Sequence, residues 1–157
     1  MTEQNSEMIA GKNPILEALR SGREINKLWI AEGVKKTGIN ELLDLARERG
    51  VLVQFVPKKK VDQLSDANHQ GIVASVAAYN YSELEDLFSA AQKKNEDPFF
   101  LILDELEDPH NLGSIMRTAD AIGVHGIIIP KRRAVGLTAV VAKASTGAIE
   151  HVPVVRV

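Results

Sequence analysis

The fold is decided by the stretch FFLILDELEDPHNLGSIMRTADAIGV, residues 99–124. Residues 99–103 are all apolar, which predicts a strand of a parallel sheet that is buried on both faces. Asp108-Pro109 ends the extended segment, and a helix is predicted from near Asn111, a favourable N-cap residue, to Gly123. The stretch therefore predicts a strand, a short polar loop and a helix in direct succession.

The predicted helix has two chemically different faces. At about 100° per residue, the apolar face holds Leu112, Ile115, Met116, Ala119 and Ile122. The opposite face holds Ser114, Arg117 and Ala121. Arg117 is therefore predicted to point away from the core, and His110, if helical, to lie on the same side.

The position of this helix suggests a functional site. Ligands of open α/β sheets bind outside the carboxyl ends of the strands, and the loop before the helix is such an end. Asn111 and Arg117 are therefore candidate functional residues. The alternative is that Asn111 only caps the helix and Arg117 is an ordinary solvated side chain.

Residues 8–78 form a separate predicted unit in which strands and helices alternate. The predicted strands are 27–31, 51–56 and 72–77, and the predicted helices are 14–21, 39–49 and 61–64. Asn13 is the predicted cap of the first helix, with Pro14 at its first position. Such alternation is typical of a compact α/β sandwich. Residues 1–7 are predicted to be a disordered tail.

A linker and a second unit complete the chain. Residues 79–97 are acidic and polar, and Ser82 with Glu85 fits a capping box at the start of a linker helix. Its Leu84, Leu87 and Phe88 are predicted to pack onto the second unit. Residues 98–157 add a strand at 126–130, a small-residue helix at 137–144 and a strand at 152–157. The second unit therefore begins a doubly wound fold with three parallel strands.

Composition excludes several classes of site. The chain has 157 residues and no cysteine, so a disulfide framework or thiolate metal site is excluded. The four histidines, at 69, 110, 125 and 151, lack a zinc-like spacing, and no metal is expected. Neither a signal peptide nor a membrane span is recognisable, so a soluble cytoplasmic protein without a membrane partner is expected.

The net charge of −2 argues against general binding of nucleic acid, which usually needs a basic domain. Two cationic clusters are nevertheless present, Lys58-Lys59-Lys60 and Lys131-Arg132-Arg133. Each follows a predicted strand and a proline, and the alternative for each is a solvated loop, which is the commoner fate of a run of charges. Lys131, Arg132 and Arg133 are the stronger candidates for phosphate contact, because they follow a strand end in the same half as Arg117.

Several segments resemble a known family. The pattern DPHNLGSIMR at 108–117, followed by GIIIP at 126–130 and KASTGAIE at 143–150, resembles the first motif block of the SpoU (TrmH) family. These enzymes are RNA ribose 2′-O-methyltransferases of the knotted SPOUT superfamily. The segments GKNPILEAL at 11–19 and HQGIV at 69–73 resemble the substrate-binding domain of the 23S rRNA (guanosine-2′-O)-methyltransferase branch.

The resemblance implies a fold and a cofactor. Residues 8–78 are expected to form an L30e-like RNA substrate-binding domain, 79–97 a linker with a helix, and 98–157 the first part of a SPOUT (α/β knot) domain. The family binds S-adenosylmethionine through a later glycine-rich loop and a Ser-Leu-Asn segment, neither of which occurs before Val157. The cofactor site and the knot are therefore expected beyond Val157, and the printed chain is expected to be inactive.

The resemblance also implies roles for individual residues. Arg117 is expected to be catalytic, and Asn111 to hold the ribose or orient Arg117. An arginine with a pKa above about 12 is a poor base, so Arg117 is expected to stabilise the developing alkoxide and the neighbouring phosphate, whether or not it also accepts the proton. Contacts to RNA are expected from Ser114, His110, Lys131, Arg132, Arg133, Ser145, Glu150, His69 and Gln70. Core packing explains Ser145 and Glu150 equally well, and a turn at Gly71 explains His69 and Gln70.

The expected function is S-adenosylmethionine-dependent 2′-O-methylation of a guanosine in 23S rRNA, by a homodimer that takes part in rRNA processing. Two alternatives remain open. One is a tRNA 2′-O-methyltransferase of the same family. The other is a non-catalytic L30e-type RNA-binding protein that uses residues 8–78.

Overall fold

A computed structural model of the chain describes residues 8–157, and the predicted tail at 1–7 lies outside the described residues. The chain divides into two compact units, with the boundary between Ala77 and Ala78. Within residues 8–157, no helix has both the length and the apolar character needed to cross a membrane.

The first unit contains one four-stranded sheet. Its strands are β1 (Met8–Ala10), β2 (Ile25–Ala31), β3 (Val53–Val56) and β4 (Ile72–Val76), and its helices are α1 (Lys12–Arg20), α2 (Asn40–Glu48) and α3 (Lys58–Leu64). A 3₁₀ turn at Lys36–Gly38 precedes α2. The strand order is β1-β4-β2-β3, with β2 and β3 parallel and the other pairs antiparallel.

Side chains that alternate along β2 lie on opposite faces of this sheet and pack against different helices. Leu28 and Ile30 are fully buried in a cluster with residues of α1 and α2. Ala31 packs instead with Val61 of α3. One face is therefore covered by two helices and the other by the short helix α3.

Three local predictions in this unit are wrong. The strand β1 was not expected, because its three residues carry no periodic signal. Helix α1 begins at Lys12 after Gly11, so Asn13 is not its cap. Lys58 to Lys60 form the first turn of α3 rather than a loop, since Pro57 stands at the cap and lysine is a good helix former.

The second unit contains a three-stranded parallel sheet, as predicted. Its strands are β5 (Phe100–Ile102), β6 (Gly126–Ile129) and β7 (Val154–Arg156), in the order β5-β6-β7. Its helices are α4 (Leu84–Lys93), α5 (Pro109–Ile122) and α6 (Ala139–Ala144), and a 3₁₀ turn spans Ala148–Glu150. Ser82 adds an isolated bridge to Val155 on the free side of β7.

The burial of side chains on α5 confirms only part of the apolar face that was predicted for this helix. Leu112, Met116 and Ala119 are fully buried, whereas Ile122 is 57% exposed in the last turn. Val124, just after the Gly123 turn, enters the core instead. The expectation that β5 is buried on both faces is also wrong, because β5 is the outer strand of the described sheet and Ile102 is 74% exposed.

The linker helix differs from its prediction by one residue. Glu83, not Ser82, precedes α4, and its backbone N–H donates to the carboxylate of Asp86 over 2.9 Å. Of the three apolar residues expected to pack, Leu87 is buried and Leu84 is exposed. Phe88 is half exposed, but its ring packs edge-to-face on Phe100 of β5 with the ring centroids 5.0 Å apart.

Candidate functional site

The carboxyl ends of the parallel strands meet at one edge of the second unit, which we call the carboxyl edge. There the loop after β5 is tied to the loop after β6, since the Val135 N–H donates to the Leu106 carbonyl over 2.8 Å. The Lys131 N–H likewise donates to the carbonyl of Val157 over 2.7 Å. These backbone bonds join separate loops into one surface in front of α5.

Asp108 is the cap of α5. Its carboxylate accepts hydrogen bonds from the backbone N–H groups of His110 (2.8 Å) and Asn111 (3.1 Å), and Pro109 occupies the first helical position. The prediction that Asn111 caps the helix is therefore wrong. The Asn111 side-chain amide is exposed and does not cap the helix.

Arg117 is exposed on the solvent side of α5, as predicted. Within residues 8–157, neither Asn111 nor Arg117 has a side-chain hydrogen bond or ion pair. Side chains on a helix lean toward its N-terminus, so Arg117 extends toward the carboxyl edge. Both groups therefore remain available to a ligand.

The exposed polar residues of α5 are not all on one line. On an ideal helix His110, Ser114 and Arg117 fall within about 60° of one another, whereas Asn111 lies about 120° from Arg117. All four are exposed. Asn111 and Arg117 thus lie on different sides of α5, and among the described residues no bond is present by which Asn111 orients Arg117.

Gly113 brings α6 close to this part of α5. A Cβ atom at Gly113 would lie 2.5 Å from the Ala144 Cβ and 2.9 Å from both the Ala144 carbonyl carbon and the Ser145 nitrogen. No side chain fits there, because two of these neighbours are backbone atoms. The glycine inside the helix is explained by this crossing, which the sequence alone does not reveal.

Ser145 has a structural place in this crossing. It is fully buried, its hydroxyl donates to the Ala142 carbonyl over 2.8 Å, and the same oxygen accepts from the Ile149 N–H over 3.2 Å. Its hydroxyl therefore faces the protein and not solvent. Glu150 is exposed and lines a cleft of about 250 Å³ with Tyr79 and His151, away from Asn111 and Arg117.

The cations after β6 are exposed, as a phosphate contact requires. Arg133 pairs with Glu105 over 3.1 Å, and both side chains are more than half exposed. Both residues also have backbone φ near +54°, in the left-handed region. In the described part of the chain Lys131 and Arg132 make no ion pair.

His69 and Gln70 lie in the first unit. The His69 Nδ1 accepts from the Gly71 N–H over 2.9 Å, and its Nε2 contacts the Asp62 carboxylate over 2.9 Å. Gln70 is exposed at φ 50°. Both line an open cleft of about 510 Å³ that also includes Lys58. His69 thus holds the turn, while Gln70 remains accessible.

No group of three or more metal-ligating side chains occurs among residues 8–157.

Two family descriptions match the chain. "RNA 2′-O ribose methyltransferase substrate binding" matches residues 8–82, and "SpoU rRNA Methylase family" matches residues 98–157. The chain belongs to the SpoU (TrmH) family. The predicted α/β fold class is thereby confirmed, with an N-terminal region that matches the family's substrate-binding description followed by a region with a parallel sheet that matches its methylase description.

Curated members of the family are similar over nearly the whole chain. YacO of Bacillus subtilis (strain 168), provisionally named a TrmH family tRNA/rRNA methyltransferase, is 62% identical over 154 residues, or 98% of this chain and 62% of YacO. A protein of Staphylococcus haemolyticus (strain JCSC1435) with the same provisional family name is 54% identical over 96% of this chain and 60% of its own length. The chain therefore spans about 60% of these relatives.

A solved structure, the AdoMet-bound rRNA methyltransferase from Sinorhizobium meliloti, is 28% identical to the chain. The match covers 96% of this chain and 53% of that protein, with a TM-score of 0.42.

Proposed function

We propose that the protein to which this chain belongs transfers a methyl group from S-adenosylmethionine to a ribose 2′-hydroxyl of RNA, with a guanosine of 23S rRNA as its target. The observation that carries this proposal is the pair of exposed groups on α5 that have no partner among the described residues, Asn111 in its first turn and Arg117 in its third. Membership of the SpoU family supports the reaction type.

The reaction needs stabilisation of a negative oxygen. A ribose hydroxyl is a weak acid, so a cation held near the oxygen lowers the cost of developing alkoxide charge. We assign this role to Arg117, which stays charged because the pKa of a guanidinium lies above about 12. Asn111 supplies an amide that donates to and accepts from ribose hydroxyls.

The remaining residues of the carboxyl edge suit the RNA backbone. Lys131, Arg132 and Arg133 present exposed cations beside α5, and His110 and Ser114 extend the stripe that contains Arg117. We propose that all five contact the RNA. Ser145, whose hydroxyl is buried, is assigned to the α5–α6 crossing instead.

The cofactor is proposed to bind elsewhere. S-adenosylmethionine supplies an electrophilic methyl group, and its adenosyl part requires an enclosing, largely apolar cleft. The residues proposed to contact RNA at the carboxyl edge are exposed and mostly charged, so they suit phosphate and ribose and not an adenosyl group. We place the cofactor site beyond Val157, and we expect residues 1–157 alone to be inactive.

The domain roles and assembly are proposals of the same kind. We assign RNA substrate binding to residues 8–78, with Gln70 and His69 at its cleft, a linker to 79–97, and the beginning of the catalytic domain to 98–157. We propose that the protein acts as a homodimer in cytoplasmic rRNA processing.

The test is methyl transfer by the full-length protein from labelled S-adenosylmethionine to 23S rRNA and, separately, to tRNA. Label at a ribose 2′-oxygen protects the adjoining phosphodiester from alkali, so an alkali-resistant labelled dinucleotide identifies the site. Arg117→Ala is expected to lower transfer by about 10²- to 10³-fold. The matched control is Arg47→Ala, since Arg47 is an exposed helical arginine of the first unit.

Each outcome bears on a different part of the proposal. Undiminished transfer by Arg117→Ala contradicts the catalytic role of Arg117. Transfer to tRNA alone contradicts the 23S rRNA target and favours the tRNA enzyme. RNA binding without transfer to either substrate favours the non-catalytic binder.

A further inference from the structure

The first unit has a sheet face that α3 covers only in part. On β2, Lys27 and Trp29 point to this face, because Leu28 and Ile30 point into the core beneath α1 and α2. Trp29 packs at the margin of the small cluster around Val61 and remains partly exposed. An aromatic ring therefore lies at a solvent boundary on a sheet.

One lysine lies against this ring, and the charge of a second lysine acts on the first. The Lys27 Nζ lies 5.3 Å from the centroid of the Trp29 ring. Burial lowers the pKa of Lys27, and the nearby positive charge of Lys60 on α3 lowers it further. The positive charges of Lys27 and Lys60 therefore repel each other.

No carboxylate of the described residues pairs with either lysine. The acid that α3 itself carries nearby, Asp62, is engaged by the His69 imidazole. Beside Trp29 in the sheet register lies the uncharged Gln54, and beside Lys27 lies Ser75. Within residues 8–157, the like charges of Lys27 and Lys60 therefore have no paired carboxylate, and Lys27 lies against an aromatic ring.

We propose that Trp29, Lys27 and Lys60 form a binding surface for single-stranded RNA, with an unpaired base stacked on Trp29 and a neighbouring phosphate between the two ammonium groups. A phosphate there replaces repulsion by attraction, and it draws Lys27 off the ring so that a base can take its place. Stacking does not select a base, so this surface holds flexible RNA without reading its sequence. The proposal rests on the proposed function, because it takes RNA as the substrate.

The same unit provides a matched control. The Lys36 Nζ lies 5.6 Å from the centroid of the Phe55 ring, which is a second lysine over a second aromatic side chain. Phe55 points to the opposite face, since it is two residues from Val53, which packs with α1 and α2. Lys36→Met removes the same charge as Lys27→Met from the same unit.

Trp29 itself is a direct probe, because it is the single tryptophan of the chain. The 157-residue chain is titrated with an unstructured oligoribonucleotide of about ten nucleotides and with an RNA duplex of equal length. The single strand is expected to quench Trp29 fluorescence more strongly than the duplex, whose bases are already stacked. Binding of an end-labelled strand is then measured over a range of salt concentrations.

The variants test the two parts of the surface. Lys27→Met and Lys60→Met are each expected to weaken binding severalfold and to reduce the slope of log K against log salt by about 0.7. Trp29→Ala is expected to weaken binding about tenfold, and Trp29→Phe to retain most of it, because phenylalanine also stacks. Lys36→Met is expected to keep the wild-type slope.

A wild-type slope in both lysine variants overturns the proposal. An equal loss of RNA affinity in Lys36→Met also overturns it, because RNA then responds to positive charge in general and not to this surface. In the full-length enzyme the lysine variants are expected to raise KM for RNA. If the wild-type chain binds RNA and the lysine variants bind equally, only this surface is wrong. If the wild-type chain binds neither the single strand nor the duplex, this surface and the RNA-binding role of the first unit are both wrong.

Discussion

The carboxyl edge of the second unit and the lysine-tryptophan surface of the first are built in opposite ways. The edge takes its main groups from one continuous segment, from Asp108 to Arg117. The surface combines Lys27 and Trp29 of β2 with Lys60 of α3. The first can be recognised in the linear sequence, and the second only once the sheet register is known.

The two regions also differ in how they depend on packing. At the edge, the position of Asn111 and Arg117 relies on a helix crossing without space for a Cβ atom, and on a carboxylate cap. At the surface, the lysines lie on the outside of a sheet that other residues stabilise. Substitutions of Gly113 and Asp108, which position the edge, should therefore destabilise the fold, and substitutions of Lys27 and Lys60 should not.

Gly113→Ala should have the largest effect on stability. The added methyl would meet backbone atoms of Ala144 and Ser145, so α5 and α6 must separate, at a cost of about 2–3 kcal/mol. Denaturant unfolding followed by far-UV circular dichroism measures the loss. Gly38→Ala is the control, because nothing lies within 4 Å of its added Cβ. Equal stability of the two variants would show that the crossing is not tight.

Asp108→Ala should destabilise the chain by about 1 kcal/mol, because two backbone N–H groups lose their acceptor. Asp108→Asn keeps an acceptor oxygen and should recover most of the loss. Asn111→Ala should change stability by only about 0.3 kcal/mol, since Asn111 accepts no capping bond in the structure. A larger loss at Asn111 than at Asp108 would restore the assignment made from sequence.

Those two residues show what the sequence can and cannot reveal. The strand, loop and helix were predictable because their signals are local, as was the outward direction of Arg117. The cap was not, because Asp108 and Asn111 are both good caps, and Pro109 at the first helical position decides between them. The exposure of Ile102 and the effect of the Lys60 charge on Lys27 depend on strand order and on the packing of α3, which no local pattern encodes.

Glu105→Gln should change stability by less than about 0.5 kcal/mol, because its ion pair with Arg133 is well exposed. RNA affinity should instead rise about two- to threefold, since Arg133 no longer has a carboxylate that competes with phosphate. Filter binding of labelled rRNA fragments measures the change. Glu107→Gln is the control, as Glu107 is exposed in the same loop without an ion pair in the described chain. A fall in affinity would mean that Glu105 holds Arg133 in its binding position.

Lys27→Met should have the smallest effect on stability, and its sign is informative. The native state lowers the pKa of Lys27, so it holds this proton less tightly than the unfolded chain and its charge costs stability at neutral pH. That cost disappears as pH rises through the native pKa toward the ordinary lysine value. Lys27→Met should therefore be at least as stable as the wild type at neutral pH, with its advantage shrinking in alkali.

The measurement is urea unfolding of Lys27→Met and of the wild type at neutral pH and again at alkaline pH, with Lys36→Met as control. A variant that folds as well as the wild type yet binds RNA more weakly would show that Lys27 is kept for binding and not for folding. A clear loss of stability at neutral pH would show instead that its contact with Trp29 supports the sheet.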